Sequence, residues 1–144
     1  MPRCLTISVI LLAAVLNCAG EKETVQQLAA RAEAARPEDR PGLYVGIAER
    51  QLKVVAELFG AGRDEEAVAA VKDVVTYSEK AHDAAIVARN KLKGTEIAMR
   101  KMAAKLRDIK RTLSFEDQAP VQAAADRLEA LRTDLLSKMF GRGK

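Results

Sequence analysis

Few residues in this chain carry chemistry, and their spacing limits what they can do. "EKAH" sets Glu79 and His82 one helical turn apart, the spacing with which helical bundles hold di-iron carboxylate centres. Such a centre needs a second Glu-x-x-His and further glutamates, and His82 is the only histidine. The pattern therefore predicts a flanking, partly exposed His82 beside a seam of alanines. Ser78 lies on that seam with no base beside it, which predicts a small packing residue rather than a nucleophile. "GAG" at Gly60 to Gly62 is too short to cradle a phosphate and suits a helix stop. No nucleophile, base and orienter fall together, so the expectation is a non-enzymatic protein without metal or cofactor.

Charge offers a stronger candidate. Between Arg89 and Arg111 stand nine basic residues, opposed only by Glu96 and Asp108. On a helix, Lys93, Arg100 and Arg107 repeat every seven residues along one outer stripe, with Lys101 and Arg111 beside them. This face is the expected binding site for an anionic partner: lipid head groups, envelope polysaccharide or an acidic protein. The alternative is a solvated flank whose charges pair with Asp126, Glu129 and Asp134 further along the chain. Nucleic acid is not expected, because no aromatic residues are interleaved with these charges for stacking on bases.

The elements that would carry these residues are helical. The chain is 49% hydrophobic but only 3% aromatic and has no Trp, which predicts an all-α domain built from Ala, Leu, Glu, Lys and Arg. Alanines at many interior positions allow close helix approach but bury little area each, so self-association as a homo-oligomer is one expected remedy. A first helix runs over Glu21 to Arg36, with Val25, Leu28, Ala29 and Ala32 on one face, and Pro37 ends it. Asp39 is placed to cap a second, with Pro41 in its first turn and Tyr44, Ile47, Ala48, Leu52, Val55 and Phe59 facing inward. After the glycines, Asp64, Glu65 and Glu66 put negative charge at the start of a third.

From Ala67 onward a seam of mostly apolar residues recurs in steps of four and three through Val71, Val74, Ser78, Ala81, Ala85, Ala88, Leu92, Thr95, Met99, Met102, Leu106 and Ile109 to Leu113. It crosses Gly94 in phase, so one helix is predicted from Asp64 to Leu113, roughly 75 Å long, with Gly94 on its outer side. A break at Gly94, giving a four-helix bundle, is the alternative. "SFEDQAP" supplies the next turn, with Ser114 or Asp117 as cap and Pro120 in the first turn of a last helix ending at Phe140. The expected architecture is an elongated antiparallel bundle, or hairpins, built on one long central helix, with 21–140 as a single domain and 141–144 as a disordered tail.

Before this domain, Met1 to Gly20 has Arg3 as its only charge, an apolar run from Leu5 to Leu16, and then small residues. That is the layout of a secretory signal peptide, with cleavage expected after Ala19 or Gly20 and a periplasmic or secreted product. Lipid attachment at Cys18 is the alternative, although Asn17 stands where a lipoprotein signal has Gly, Ala or Ser; an uncleaved anchor is the third reading. Cleavage would remove both cysteines, Cys4 and Cys18, and would leave 23 basic residues of the full chain's 24 against 20 acidic. Membrane contact is expected only through a lipid at Cys18 or through the basic face.

Two family resemblances bear on function. Val55, Leu58, Phe59, Gly62, Glu66-Ala67-Val68, Val71 and Val74 fall near the spacing of one tetratricopeptide unit. The hairpin resembles that family over about a quarter of the chain, but with no second copy, where arrays need about three, the resemblance implies packing and not a peptide groove. "LSFEDQ", Leu113 to Gln118, is similar to the Leu-Thr-x-x-Gln signature of small periplasmic ATP-independent helical chaperones. Ser114 stands in place of Thr, and Gln118 comes one position late, after Asp117. The chain is thus expected to be an exported protein acting by protein–protein or envelope interaction, with an ATP-independent holdase or an anionic-surface binder as alternatives.

Overall fold

A computed structural model of the chain describes residues 23–141. The leader with Cys4 and Cys18, and residues 142–144 of the expected tail, lie outside them. The described residues form five helices: α1 Val25–Ala34, α2 Arg40–Gly60, α3 Asp64–Ala88, α4 Leu92–Arg111 and α5 Phe115–Phe140. The all-α, antiparallel class is as expected.

Local chemistry accounts for most of the boundaries. Thr24 opens α1 with a capping box: its hydroxyl accepts from the Gln27 N–H at 3.2 Å, and the Gln27 amide oxygen accepts from the Thr24 N–H at 2.8 Å. Asp39 occupies the cap position of α2, with Pro41 in the first turn, but its carboxylate takes Arg36 rather than a backbone N–H. The α2–α3 turn is a Schellman motif, in which the Arg63 N–H donates to the Leu58 carbonyl and the Gly62 N–H to Phe59. Gly62 supplies the left-handed residue, φ 71°. Ser114 precedes α5, its hydroxyl donating to Asp117. That helix starts at Phe115, with the earlier of the two expected caps, Ser114, at its N-cap position, and Pro120 lies inside it instead of in its first turn.

The continuous helix from Asp64 to Leu113 does not form. Arg89 and Lys91 both adopt left-handed backbone, φ 52° and 56°, and the chain reverses there, ahead of Gly94, which is exposed in the first turn of α4. The turn is held by the α1–α2 connection, where the Asn90 amide donates to the Glu38 carbonyl at 3.3 Å and Lys91 lies 3.8 Å from Asp39. The physical gain is burial: in a straight helix each half of the seam would be covered by one neighbour, whereas reversal lets both halves share one core. The bundle alternative was therefore nearer than the long spine, with the break displaced from the glycine.

α2 packs antiparallel on α3, and α4 antiparallel on α5. The two hairpins then stack, α3 beside α5 and α2 beside α4, each of these pairs parallel: His82 meets Asp134 while Val71 lies near Ala124, and Leu52 lies near Met102. The shared core is filled by Val55, Val74, Met99, Met102, Leu106, Val121, Leu128 and Leu135, with alanines between them where helices approach closely. α1 lies against α2, its Ala32 buried, and Glu33 pairs with Lys80 of α3 at 3.3 Å. Lys80 also lies over the stacked rings of Tyr44 and Tyr77, 5.6 and 5.7 Å from their centroids.

Candidate functional site

From Lys93 onward the basic stretch lies on α4, while Arg89 and Lys91 fall in the turn before it. Thr95, Met99, Met102, Leu106 and Ile109 turn its apolar face to the core, which leaves Lys93, Arg100, Lys101 and Lys105 exposed. None of these four makes an ion pair among the described residues. The expected pairing with the last helix is realised only in part. Arg107 is half-buried on Glu129 at 3.4 Å, and Arg111 pairs within its own helix with Asp108 at 2.9 Å. Asp126 instead accepts from Gln122, and Asp134 contacts His82. The candidate set thus divides: Lys93, Arg100 and Lys101 present unpaired charge, while Arg107 and Arg111 are engaged.

Packing adds two cations to the set. Lys105 follows Lys101 by one turn, a spacing already visible in the sequence, and Lys53 arrives from α2. Lys53, Lys101 and Lys105 border one groove between the two helices, over Leu52 and Met102. Lys53 is 48 positions ahead of Lys101, and nothing local marks it as a neighbour.

A part-buried ion pair fastens α4 to α5. Arg132 donates from Nε to the Glu96 carboxylate at 2.7 Å and from Nη1 to Glu129 at 3.3 Å; only 9% of the Glu96 side chain is exposed. These hydrogen bonds, that to Glu96 first, raise the Arg132 pKa above its ordinary value. Glu96 is thereby taken out of the exposed charge balance, which leaves Asp108 as the exposed carboxylate of α4.

The Glu79–His82 pair does not converge on one ligand position. Glu79 accepts from Arg127 at 2.7 Å. His82 is buried, not flanking, with Nδ1 2.9 Å from Asp83 and Nε2 2.9 Å from Asp134 of α5. With a carboxylate at each ring nitrogen, the imidazole acts as a bridge between α3 and α5; its neutral form can donate to only one of the two. Ser78 is wholly buried, and its hydroxyl finds no partner. Among the described residues, no group of three His, Cys, Asp or Glu side chains is placed to hold a metal, and no helix is long and apolar enough to cross a membrane. Comparison of the chain with protein-family models, with curated proteins and with solved structures finds no match.

Proposed function

We propose that the chain is an exported, non-enzymatic helical-bundle protein that works by binding an acidic protein partner through the basic face of α4. The supporting observation is the row of exposed, unpaired cations Lys93, Arg100, Lys101 and Lys105 on one helix. Like charges held along a rigid helix repel one another, and an anionic partner relieves that repulsion. A protein surface suits this face better than a bilayer. Among the described residues the exposed large apolar side chains are Val87, Phe115 and Phe140, all off α4, so nothing on the basic face would anchor among acyl chains. Poly-L-glutamate is a direct probe. Its affinity for the purified protein should fall at least tenfold between about 50 and 300 mM salt, and absent or salt-independent binding would overturn the reading.

A second reading, an ATP-independent holdase, has one observation in its favour. An open groove of about 530 Å³ between α3 and α5 is lined mainly by Val68, Val71, Val75, Pro120 and Ala123, an apolar surface for unfolded clients. Suppression of client aggregation at near-equal molar ratio supports this reading, and its absence removes it.

A further inference from the structure

The seam where the two hairpins meet carries more information than its charge. The α2/α4 groove has a volume of about 560 Å³ and a floor of Leu52, Ala56 and Met102. Its α2 rim is the row Glu49, Lys53, Glu57, each one turn from the next, with signs alternating along the helix. Its α4 rim is Lys101 and Lys105, both positive. All five rim side chains are exposed, and none makes an ion pair among the described residues. An apolar floor edged by two rows of unsatisfied charge, both at helical pitch, has the form of a helix-in-groove receptor. The described residues include no strand with which an extended segment could pair.

We infer that this groove docks one amphipathic helix of the acidic partner, lying along the seam between α2 and α4. Its apolar stripe rests on Leu52, Ala56 and Met102, and its carboxylates meet Lys101, Lys105 and Lys53. The flank facing α2 carries a basic residue for Glu49 or Glu57. The rim from Glu49 to Glu57 is about 12 Å long, so a little over two turns of the partner are engaged. The inference rests on the reading of α4 as the face for an acidic protein, and it names the part of that face that selects the partner.

Two labelled designed helices of about 18 residues distinguish the possibilities: one with a leucine stripe flanked by glutamates, the other identical in charge with the stripe changed to serine. The leucine helix should bind at least tenfold tighter, about 1.4 kcal/mol. Lys101→Glu/Lys105→Glu should weaken it by about tenfold or more, while the equal charge change Lys72→Glu/Lys138→Glu, on α3 and α5 away from the basic face, should change it no more than about threefold. Ala56→Trp, which fills the floor, should abolish the preference for leucine, and Ala123→Trp in the α3/α5 groove should not. If Ala56→Trp does not fold, the two charge variants decide, since all four of those positions are exposed. Equal binding of the two helices, equal effects of the charge variants, or loss of binding only with Ala123→Trp would overturn the inference. In each of those cases undiminished binding of poly-L-glutamate keeps the broader reading; failure to bind any acidic probe removes both.

Discussion

His82, Ser78 and Glu66 show how differently single polar groups weigh on this bundle. His82 contacts Asp83 on its own helix and Asp134 across on α5 from a buried position, so His82→Ala removes one cross-helix contact and the packing of the ring together. A loss of about 1–3 kcal/mol in urea unfolding is expected. Ser78 has the opposite sign. Its hydroxyl is buried without a partner, so Ser78→Ala sheds a desolvation penalty and should leave stability unchanged or raise it by up to about 1 kcal/mol. Glu66, exposed in the first turn of α3, is held below its ordinary pKa chiefly by the hydrogen bond from Arg63. A depressed carboxyl stabilises the fold above its unfolded pKa and ceases to do so as pH falls through the folded value. The stability difference between wild type and Glu66→Gln should therefore be present at neutral pH and shrink below about pH 4.5, as followed by thermal unfolding across pH.

At the scale of elements, the junction between α3 and α4 carries the most consequence. Arg89 and Lys91 hold a left-handed backbone that disfavours any residue with a Cβ. Arg89→Gly relieves this strain, and a gain of about 1 kcal/mol in thermal or urea unfolding is expected. Were the segment helical, the same change would cost about 1 kcal/mol, so the sign reports the turn directly. The helical seam itself was legible from residue periodicity: its positions from Ala67 to Ala85 and from Thr95 to Ile109 are buried as expected. The turn between them was not, because Arg-Asn-Lys carries no proline or glycine and leaves the periodicity in phase. Asn90 and Lys91 are committed to the turn by Glu38 and Asp39, contacts some 50 residues distant in sequence.

For the whole molecule, folding back changes the dimensions. The longest helix, α5, has 26 residues and spans about 39 Å, against roughly 75 Å for the continuous helix. Small-angle scattering of the monomer should give a radius of gyration near 14 Å, whereas a rod of the longer length would give about 22 Å. The stacking also decides what α4 can present. Placing α5 on one flank neutralises Arg107 and removes Glu96 from the surface, and placing α2 on the other brings Lys53, Glu49 and Glu57 alongside Lys101 and Lys105.

Periodicity, capping residues and the scarcity of aromatics determined an all-helical chain by themselves, together with which faces are apolar and where the basic charge lies. These are local properties, written in spacings of three and four residues. Only the tertiary structure decided that the seam reverses at Arg89–Lys91, that His82 is a buried bridge, and which cations remain unpaired. Each of those depends on neighbours 20 to 50 residues away, and the core that both halves of the seam share is what brings them together.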